Sequence, residues 1–343
     1  MTPLDILEIP RPDAGPMMSR IEAAFDGMRR SYLFRHALEM DIFERMGSEM
    51  SLEKISGELG ADIGMMRMFC DALVSEGLLI STGGGYVNSP TAATYLTRSS
   101  PNCIRHSFER TLREIDGWHS LGSILRDGPK TIDRSQFFDE RWIRSIASTA
   151  LCGNVQKVTS EISEVIDLTL VRRMLDIGGG HGLYSIAFSA RNPHMDVYVF
   201  DLPEMVSVAS EHILHYNADR VHVMAGNFTK DDIGSDYDLI FSSFNPSGSD
   251  LGMIPVLRDA LTPEGWLVIR QFTEAARNDA VANLGWNFFD FNGDRRPRRR
   301  FSGPDTASID DYNSALVEAG FRPVHRWSFD EVSDITVMRK MGV

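Results

Sequence analysis

The sequence predicts an α/β protein in which a helical winged-helix domain precedes a doubly wound, mostly parallel sheet. Two observations carry this prediction. From Arg172 onward, short apolar strands alternate with helical segments, as a doubly wound sheet requires. Between residues 51 and 88, two short helices and a hairpin follow one another in the order of a winged-helix module. The predicted domains are residues 1–110 and 111–343.

Composition limits the class of protein. The 343 residues are 43% hydrophobic and 24% charged, which is ordinary globular usage. The formal net charge of −13 disfavours nucleic acid and anionic membranes as partners. No apolar run approaches ~18 residues, so we expect no membrane-spanning helix, and the acidic start does not resemble a signal peptide. Three distant cysteines without a CxxC pair predict no disulfide framework, no metal site and a reducing, cytoplasmic location.

The first domain is predicted to begin with a long helix. Residues 18–46 keep apolar side chains at helical spacing and are too apolar to lack a partner surface. Ser51 caps a short helix that Gly60 ends, and a second helix follows over about 64–75. Three consecutive glycines between LLIS and YVNS predict the hairpin.

The second of these short helices bears on DNA binding, because that helix enters the major groove in helix-turn-helix proteins. Its sequence, GMMRMFCDALVSEG, contains one arginine, no lysine and two acids. Phosphate contacts dominate DNA affinity and need Lys or Arg. We therefore expect a packing and dimerisation module rather than a DNA-binding one.

The remaining elements follow in order. Residues 90–170 are predicted to be helical, with breaks at Pro101 and at Gly128-Pro129. The alternation after them consists of the strand RRMLDIGGG, the helix HGLYSIAFSARNP, the strand DVYVFDLP, the helix MVSVASEHILHYNA, the strands VHVMAG and YDLIFSSF, the helix MIPVLRDALTPEG and the strand WLVIRQF.

A glycine-rich loop, DIGGGHG at residues 176–182, lies at the first strand-to-helix turn. Glycines at such a turn let the backbone approach a ligand closely. The dinucleotide fingerprint GxGxxG fits poorly, because Leu183 occupies its third glycine position. Nineteen residues after Gly182, Asp201 ends the next strand, where an acid can accept from both hydroxyls of a ribose. A structural turn with a solvated Asp201 is the alternative interpretation.

The loop DIGGGHG followed by VFDLPEM resembles the S-adenosylmethionine-dependent O-methyltransferases of the caffeate and hydroxyindole type, whose sequences have DxGGGxG and then FDLP. SLEKISGELG, DALVSEGLL and ALVEAGF resemble the same family, so the resemblance covers nearly the whole chain. It implies a Rossmann-like methyltransferase domain, a homodimer formed through the winged-helix domain, and S-adenosylmethionine as cofactor.

The resemblance also implies cofactor-binding residues, carried over by position. Core packing is the alternative for Phe228, since aromatic side chains often fill cores. The implied residues are Asp176, Gly178, Gly180 and Gly182 for the methionine part, Asp201 for the ribose, Leu202, Asn227 and Phe228 for the adenine, and Ser242 at the end of the fourth strand.

The chain departs from this family after the fourth strand. There the family has a leucine-histidine-aspartate-tryptophan run whose histidine deprotonates a phenol, whereas this chain has FNPSGSD at residues 244–250. Ionising a phenol of pKa ~10 at pH 7 costs about 4 kcal/mol, and a general base contributes ~10²- to 10⁴-fold. Such an enzyme needs another base or an acceptor with no proton to lose, such as a thioether.

Three residues are candidates for catalysis. His119 lies beside Trp118 in a segment expected to cover the pocket, and it is the preferred base. Asn245 and Asp250 come from the divergent segment, and Asp250 would act through water unless it is simply a solvated loop acid. His181, inside the glycine loop, is expected to contact the cofactor or the backbone instead.

The expected acceptor-binding residues lie largely in one region. An arginine run at residues 295–300 is interpreted as a solvated loop, as a clamp for an acidic acceptor, or as a nucleic-acid patch. The resemblance places acceptor-lining residues in the aromatic segment before this run. Some of these rings would belong to the core, and others would form a wall beside the sulfonium, where cation–π attraction is worth ~0.5–2 kcal/mol. The candidates are Trp118, Trp286, Phe288, Phe289, Arg295 and Arg296.

The predicted reaction is methyl transfer from S-adenosylmethionine to a small molecule, driven mainly by proximity and pocket electrostatics. The missing histidine, the arginine run and the aromatic cluster favour a small acidic thioether such as 4-methylthio-2-hydroxybutyrate, as in the similar S-methyltransferases of dimethylsulfoniopropionate synthesis. One alternative is O-methylation with another base. Others are a winged-helix regulator that senses S-adenosylmethionine and an enzyme that retains the cofactor without methylating.

Overall fold

The chain divides into two compact units, Met1–Leu112 and Arg113–Val343. They are seen in a computed structural model that describes residues 11–133, 139–291 and 306–342. In these ranges, no helix combines the length and the apolar character needed to cross a membrane.

The first unit packs helices around a short hairpin. Its buried side chains include Phe43, Ile55, Leu73 and Leu79, which hold the helices to the hairpin. The elements are α1 (Gly15–Glu39), α2 (Ile42–Arg45), α3 (Leu52–Leu59), α4 (Ile63–Ser75), β1 (Leu79–Ser81), β2 (Tyr86–Asn88), α5 (Pro90–Tyr95) and the first part of α6 (Arg105–Gly117).

Local signals explain most of these boundaries. The Ser51 side chain accepts a hydrogen bond from the Lys54 N–H and caps α3, and left-handed Gly60 ends it. Asp62 caps α4 in the same way through the Met65 N–H. The single helix predicted over 18–46 is wrong in one respect: Asp41 has φ +52°, which separates α1 from α2.

The second unit contains the large sheet. Its elements are α7 (Leu121–Asp127), β3 (Lys130–Ile132), α8 (Glu140–Thr149), α9 (Val155–Val165), β4 (Arg173–Ile177), α10 (Leu183–Arg191), β5 (Asp196–Asp201), α11 (Pro203–His215), β6 (Val221–Ala225), β7 (Tyr237–Ser243), α12 (Met253–Ala260), β8 (Leu261–Phe272), α13 (Glu274–Arg277), α14 (Ala280–Trp286), β9 (Phe289–Phe291), α15 (Ile309–Glu318), β10 (Phe321–Ser328) and β11 (Ser333–Lys340).

The seven strands of this sheet have the order β10-β11-β8-β7-β4-β5-β6. The five from β8 to β6 are parallel, and β11 is antiparallel to β8 and to β10. The chain runs outward from β4 through β5 to β6 and then returns to β7 on the other side. The ends of β4, β5 and β7 therefore form the switch point at which ligands bind in open α/β sheets.

Both faces of the sheet are covered, which explains the apolar strands. Phe241 and Phe188 belong to the core on one face, and Ile240 and Tyr312 belong to the core on the other. Neighbouring residues of β7 thus point to opposite faces, as the period of two requires.

The structure differs from the prediction in its strands. The strand predicted to begin at Trp266 begins five residues earlier, at Leu261. The residues expected to end the preceding helix belong to this strand, and its first part is irregular around Glu264, which has φ +63°. Strands β3, β9, β10 and β11 were not predicted. Strand β10 is mostly exposed and carries an irregularity near Pro323, so it lacks the apolar alternation of a strand.

Candidate active site

The glycine loop joins the end of β4 to the start of α10. Gly178, Gly180 and Gly182 have φ values of +68°, +48° and +71°, the left-handed region that glycine adopts without steric cost. The Gly178 N–H donates to the carbonyl of Phe200 at 2.7 Å, which ties the loop to the end of β5. The loop therefore has the conformation that its glycines predicted.

Space beside the loop also requires glycine. A Cβ on Gly179 would lie 2.7 Å from the carboxyl carbon of Asp176, and one on Gly178 would lie 2.8 Å from the side chain of Asn245. Both neighbours are protein side chains, so the loop backbone packs directly on them. The packing of the loop on its own neighbours therefore requires glycine at both positions.

Asp201 lies against the loop at the end of β5. Its Oδ2 accepts a hydrogen bond from the Gly180 N–H at 2.8 Å, and its Oδ1 accepts from the Leu202 N–H at 2.8 Å. A carboxylate has about four acceptor positions, so it can accept hydroxyl hydrogen bonds in addition to those of the backbone. Sequence and structure thus agree that the strand-end acid is next to the glycines.

Asp176 is placed differently from what its position in the motif suggested. Its side chain is 2% exposed and lies beneath Gly179, where Ser185 Oγ donates to Oδ2 at 2.6 Å. Burial raises the pKa of Asp176 to about 7; the nearby charge of Asp201 adds to this, while the Ser185 hydrogen bonds oppose it. Asp176 therefore supports the loop from inside.

Two histidines fix the end of the loop. His181 Nδ1 accepts from the Leu183 N–H at 3.1 Å, and His212 Nδ1 on α11 donates to the His181 carbonyl at 2.8 Å. Burial, aided by the charge of His212, lowers the pKa of His181 to about 3, so this ring is neutral at physiological pH. His181 contacts backbone, as the sequence suggested.

An apolar wall stands beside Asp201. Leu202 packs with Ile143 from α8 and with Met205 and Val208 from α11. The Ile143 side chain reaches within 3.4 Å of the position of a Cβ on Gly180, so it borders the same space as Asp201. This wall can cover one face of a planar ring.

Asn227 and Phe228 follow β6. The Asn227 Oδ1 accepts from the backbone N–H and the hydroxyl of Thr229, at 3.0 and 2.7 Å. That oxygen is thus engaged in a turn, and the amide nitrogen is the part of Asn227 suited to a ligand acceptor. Phe228 is half-buried against the core that includes Ile177 and Phe200, so one part of its ring is core.

Ser242 and Asn245 belong to one network at the end of β7. Ser242 is fully buried, and its Oγ lies 2.8 Å from Ser247 Oγ. Asn245 Nδ2 donates to the Ile177 carbonyl at 2.8 Å, and its Oδ1 accepts from the Ser247 N–H at 2.9 Å. An amide has no basic atom in this range of pH, and the geometry gives this one a positioning role.

The two other catalytic candidates lie on loops or short turns. Asp250 Oδ1 accepts from the Gly252 N–H at 2.8 Å, and Asp250 pairs with Thr306 in an isolated bridge. His119 is exposed on the short 3₁₀ turn Trp118–Ser120, and its Nδ1 lies 3.1 Å from the Asp116 carbonyl. Because that carbonyl only accepts, Nδ1 carries the proton and Nε2 has the free lone pair.

Two of the aromatic candidates pack on each other. The Trp118 ring meets the Phe288 ring edge-on at 4.9 Å between centroids, and Phe288 is 3% exposed. Trp286 and Phe289 are half-buried. Of these residues, Phe288 is core, in line with the expectation that some would be. Arg295 and Arg296 lie outside the described residues.

Sequence reasoning missed the polar pair within β8. Arg270 and Gln271 are 2% and 6% exposed. Arg270 donates to Tyr184 Oη at 3.0 Å and packs 4.5 Å from the Phe244 ring centroid. The signal was visible: adjacent Arg and Gln in an otherwise apolar strand must find partners, because burying an unpaired polar group is costly.

Comparison with known families agrees with this site. The chain matches the O-methyltransferase dimerisation domain over residues 23–98 and the O-methyltransferase domain over residues 134–282. The chain belongs to the S-adenosylmethionine-dependent O-methyltransferase family. It is therefore a methyltransferase with S-adenosylmethionine as cofactor, and the left-handed glycines beside the Asp201 carboxylate fit that cofactor.

Individual proteins give the extent of the likeness. Uncharacterized protein MJ0086 of Methanocaldococcus jannaschii is 29% identical over 91% of this chain and 86% of its own. TcmO of Streptomyces glaucescens, the tetracenomycin polyketide synthesis 8-O-methyl transferase, is 26% identical over 73% of this chain and 77% of its own. The structure of human N-acetylserotonin methyltransferase with S-adenosylmethionine matches this one with a TM-score of 0.70 and 18% identity. The match covers 97% of this chain and 99% of that one, so the two share a fold.

Proposed function

We propose that the enzyme methylates a small molecule, with the cofactor held between the glycine loop, Asp201 and the Leu202 wall. The observation that carries this proposal is the Gly180–Asp201 hydrogen bond, which places a carboxylate beside closely approachable backbone. Asp201 would accept from the ribose hydroxyls, and Leu202 would pack on the adenine. Asn227 would donate from its amide nitrogen to the adenine ring, with part of Phe228 beside it.

The cofactor supplies an electrophilic methyl group carried by a sulfonium. The described residues contribute orientation: the Asp201 carboxylate and the apolar surface of Ile143 fix one reactant. Holding two reactants in line is worth several kcal/mol of the barrier. The acceptor atom then decides whether a base is needed.

Oxygen is the acceptor atom that we favour. TcmO, which is 26% identical to this chain over the matched residues, is named for transfer to oxygen. A hydroxyl must lose its proton, so a base is required. We propose His119, because its Nδ1 is bound to the Asp116 carbonyl and its Nε2 can take a proton.

A thioether acceptor is the second candidate, favoured by one observation. At the end of β7 the side chains are neutral: the Asn245 amide is engaged in backbone contacts, and Ser242 and Ser247 are buried with their Oγ atoms 2.8 Å apart. A thioether such as 4-methylthio-2-hydroxybutyrate needs no base. Of the aromatic cluster that also favoured it, Phe288 is core, and the arginine run lies outside the described residues.

The test is the initial rate of S-adenosylhomocysteine formation on a catechol and on 4-methylthio-2-hydroxybutyrate, side by side. Turnover on the catechol, rising with pH and falling about a hundredfold or more in His119→Asn, supports O-methylation with this base. His215→Asn, which changes an exposed histidine on α11, is the control and is expected to retain activity. If only the thioether is methylated, at a rate that does not change with pH, the acceptor atom is sulfur and not oxygen.

The first unit is proposed to form the homodimer. Along α1, the exposed apolar residues Met17, Ile21, Phe25, Met28 and Tyr32 follow one another at intervals of three or four residues. This spacing puts them on one face of the helix. A stripe of this kind requires a covering surface, and a second copy of the unit supplies one in a protein that matches a dimerisation domain.

A further inference from the structure

A chain of polar side chains links the end of β8 to the start of the glycine loop. Gln271 Nε2 donates to the Asn245 carbonyl at 2.7 Å, and Asn245 Nδ2 donates to the Ile177 carbonyl at 2.8 Å. Arg277 extends the chain: its Nη2 donates to Gln271 Oε1 at 3.4 Å, and its Nη1 donates to the Ala307 carbonyl at 3.0 Å. Gln271 and Arg277 are almost fully buried.

The backbone before Asn245 is held in an unusual conformation. Phe244 has φ +54°, in the left-handed region that a residue with a side chain adopts only at a cost in free energy. Its ring stacks on Phe272 at 4.2 Å between centroids and on the Arg270 guanidinium at 4.5 Å. This packing maintains a reversal of the chain that turns the Asn245 side chain back toward β4.

Asn245 meets the glycine loop at its first glycine. A Cβ on Gly178 would lie 2.8 Å from Cγ and Nδ2 of Asn245, so the amide packs on the Gly178 backbone. The Ser247 N–H fixes the other end of the amide by donating to Oδ1. The position of Gly178 therefore depends on Asn245, whose backbone carbonyl depends on Gln271.

We propose that Gln271 and Arg277 are positioning residues for cofactor binding. They hold Asn245 against the Ile177 carbonyl and Gly178, and so preserve the loop that receives the cofactor. The same chain reaches Ala307, whose N–H donates to the Ser249 carbonyl, so two loops at this edge of the sheet are fixed together. This proposal rests on the cofactor site of the proposed function and not on the acceptor.

Gln271→Glu tests the first link, because it replaces the donor NH₂ by an oxygen at nearly constant size. The carboxylate still accepts from Arg277 but cannot donate to the Asn245 carbonyl. We expect the Kd for S-adenosylhomocysteine, measured by calorimetry on the full chain, to rise about tenfold, the effect of an unpaired buried polar group. Arg277→Lys keeps the charge but loses the planar guanidinium with its two donor nitrogens, and we expect the same Kd to rise about threefold.

Val158→Ala is the matched control for lost stability, since Val158 is fully buried on α9 and has no place in this chain of contacts. It should lower the Tm and leave the Kd within about twofold. The proposal would be overturned if folded Gln271→Glu and Arg277→Lys bound S-adenosylhomocysteine with wild-type affinity. It would also be overturned if Val158→Ala lost as much affinity as they do. Acceptor turnover does not enter these binding constants, so failure of the proposed acceptor chemistry is a separate result.

Discussion

The N–H of Gly180 donates a 2.8 Å hydrogen bond to Oδ2 of Asp201, joining the glycine loop after β4 to the last residue of β5. The two residues are 21 positions apart in the chain, yet adjacent parallel strands bring them together. The bond sets the loop and the carboxylate at a fixed separation. Cofactor affinity should therefore respond to either residue.

Replacing Asp201 by Ala should weaken binding of S-adenosylhomocysteine about tenfold to a hundredfold. The change removes the acceptor proposed for the ribose hydroxyls, and hydrogen bonds to charged groups are worth about 1.5–3 kcal/mol. Calorimetric titration measures the effect. Asp196→Ala is the control, because Asp196 begins the same strand and is exposed. Equal affinities of the two variants would remove Asp201 from the site.

Gly179→Ala should weaken the same binding by about tenfold or more. The added methyl would lie 2.7 Å from the Asp176 carboxyl carbon and must displace the loop, and overpacking of this kind costs about 1–3 kcal/mol. Gly83→Ala is the control, since a Cβ there would meet no atom within 4 Å. If Gly179→Ala binds as wild type does, the loop is less tightly packed than described.

Asp176 should make stability depend on pH. Its folded pKa of about 7 exceeds the ordinary value of 3.8, so its stabilising contribution is complete below pH 3.8 and is lost as pH rises to 7. Asp176→Asn mimics the protonated form and cannot ionise. The Tm of the variant relative to wild type should therefore rise by at least about 3 °C between pH 4 and 7.5. Parallel melting profiles would show that the carboxyl ionises normally.

Phe25→Glu should dissociate the homodimer. Phe25 lies in the middle of the apolar stripe on α1 and is 52% exposed in one chain. A charge buried there without a partner would weaken association at least about tenfold, as loss of an interface anchor does. Light scattering across a concentration series gives the Kd. Leu170→Glu changes an exposed leucine of the second unit, and it should leave the dimer intact.

Features that follow from local backbone preference or from the general layout of parallel sheets were predictable. The glycine loop needs left-handed backbone at Gly178, Gly180 and Gly182, and glycine provides it locally. Asp201 was predictable because parallel strands end at one edge of a sheet. The winged-helix elements followed from caps such as Ser51.

Features that depend on distant contacts were not predictable. The amide of Asn245 was a candidate for catalysis by position, and only the fold shows its partner, the Ile177 carbonyl, 68 residues away. The edge-on contact between the Trp118 and Phe288 rings joins residues far apart in the chain, and the sequence did not show it. Exposed β10 carries no apolar alternation that would mark it as a strand.

The most direct test of the proposed cofactor site is a crystal structure of the enzyme with S-adenosylhomocysteine. We predict both ribose hydroxyls within hydrogen-bond distance of the Asp201 carboxylate, with the adenine against Leu202. A ribose bound elsewhere, with Asp201 contacting only backbone, would contradict the site described here.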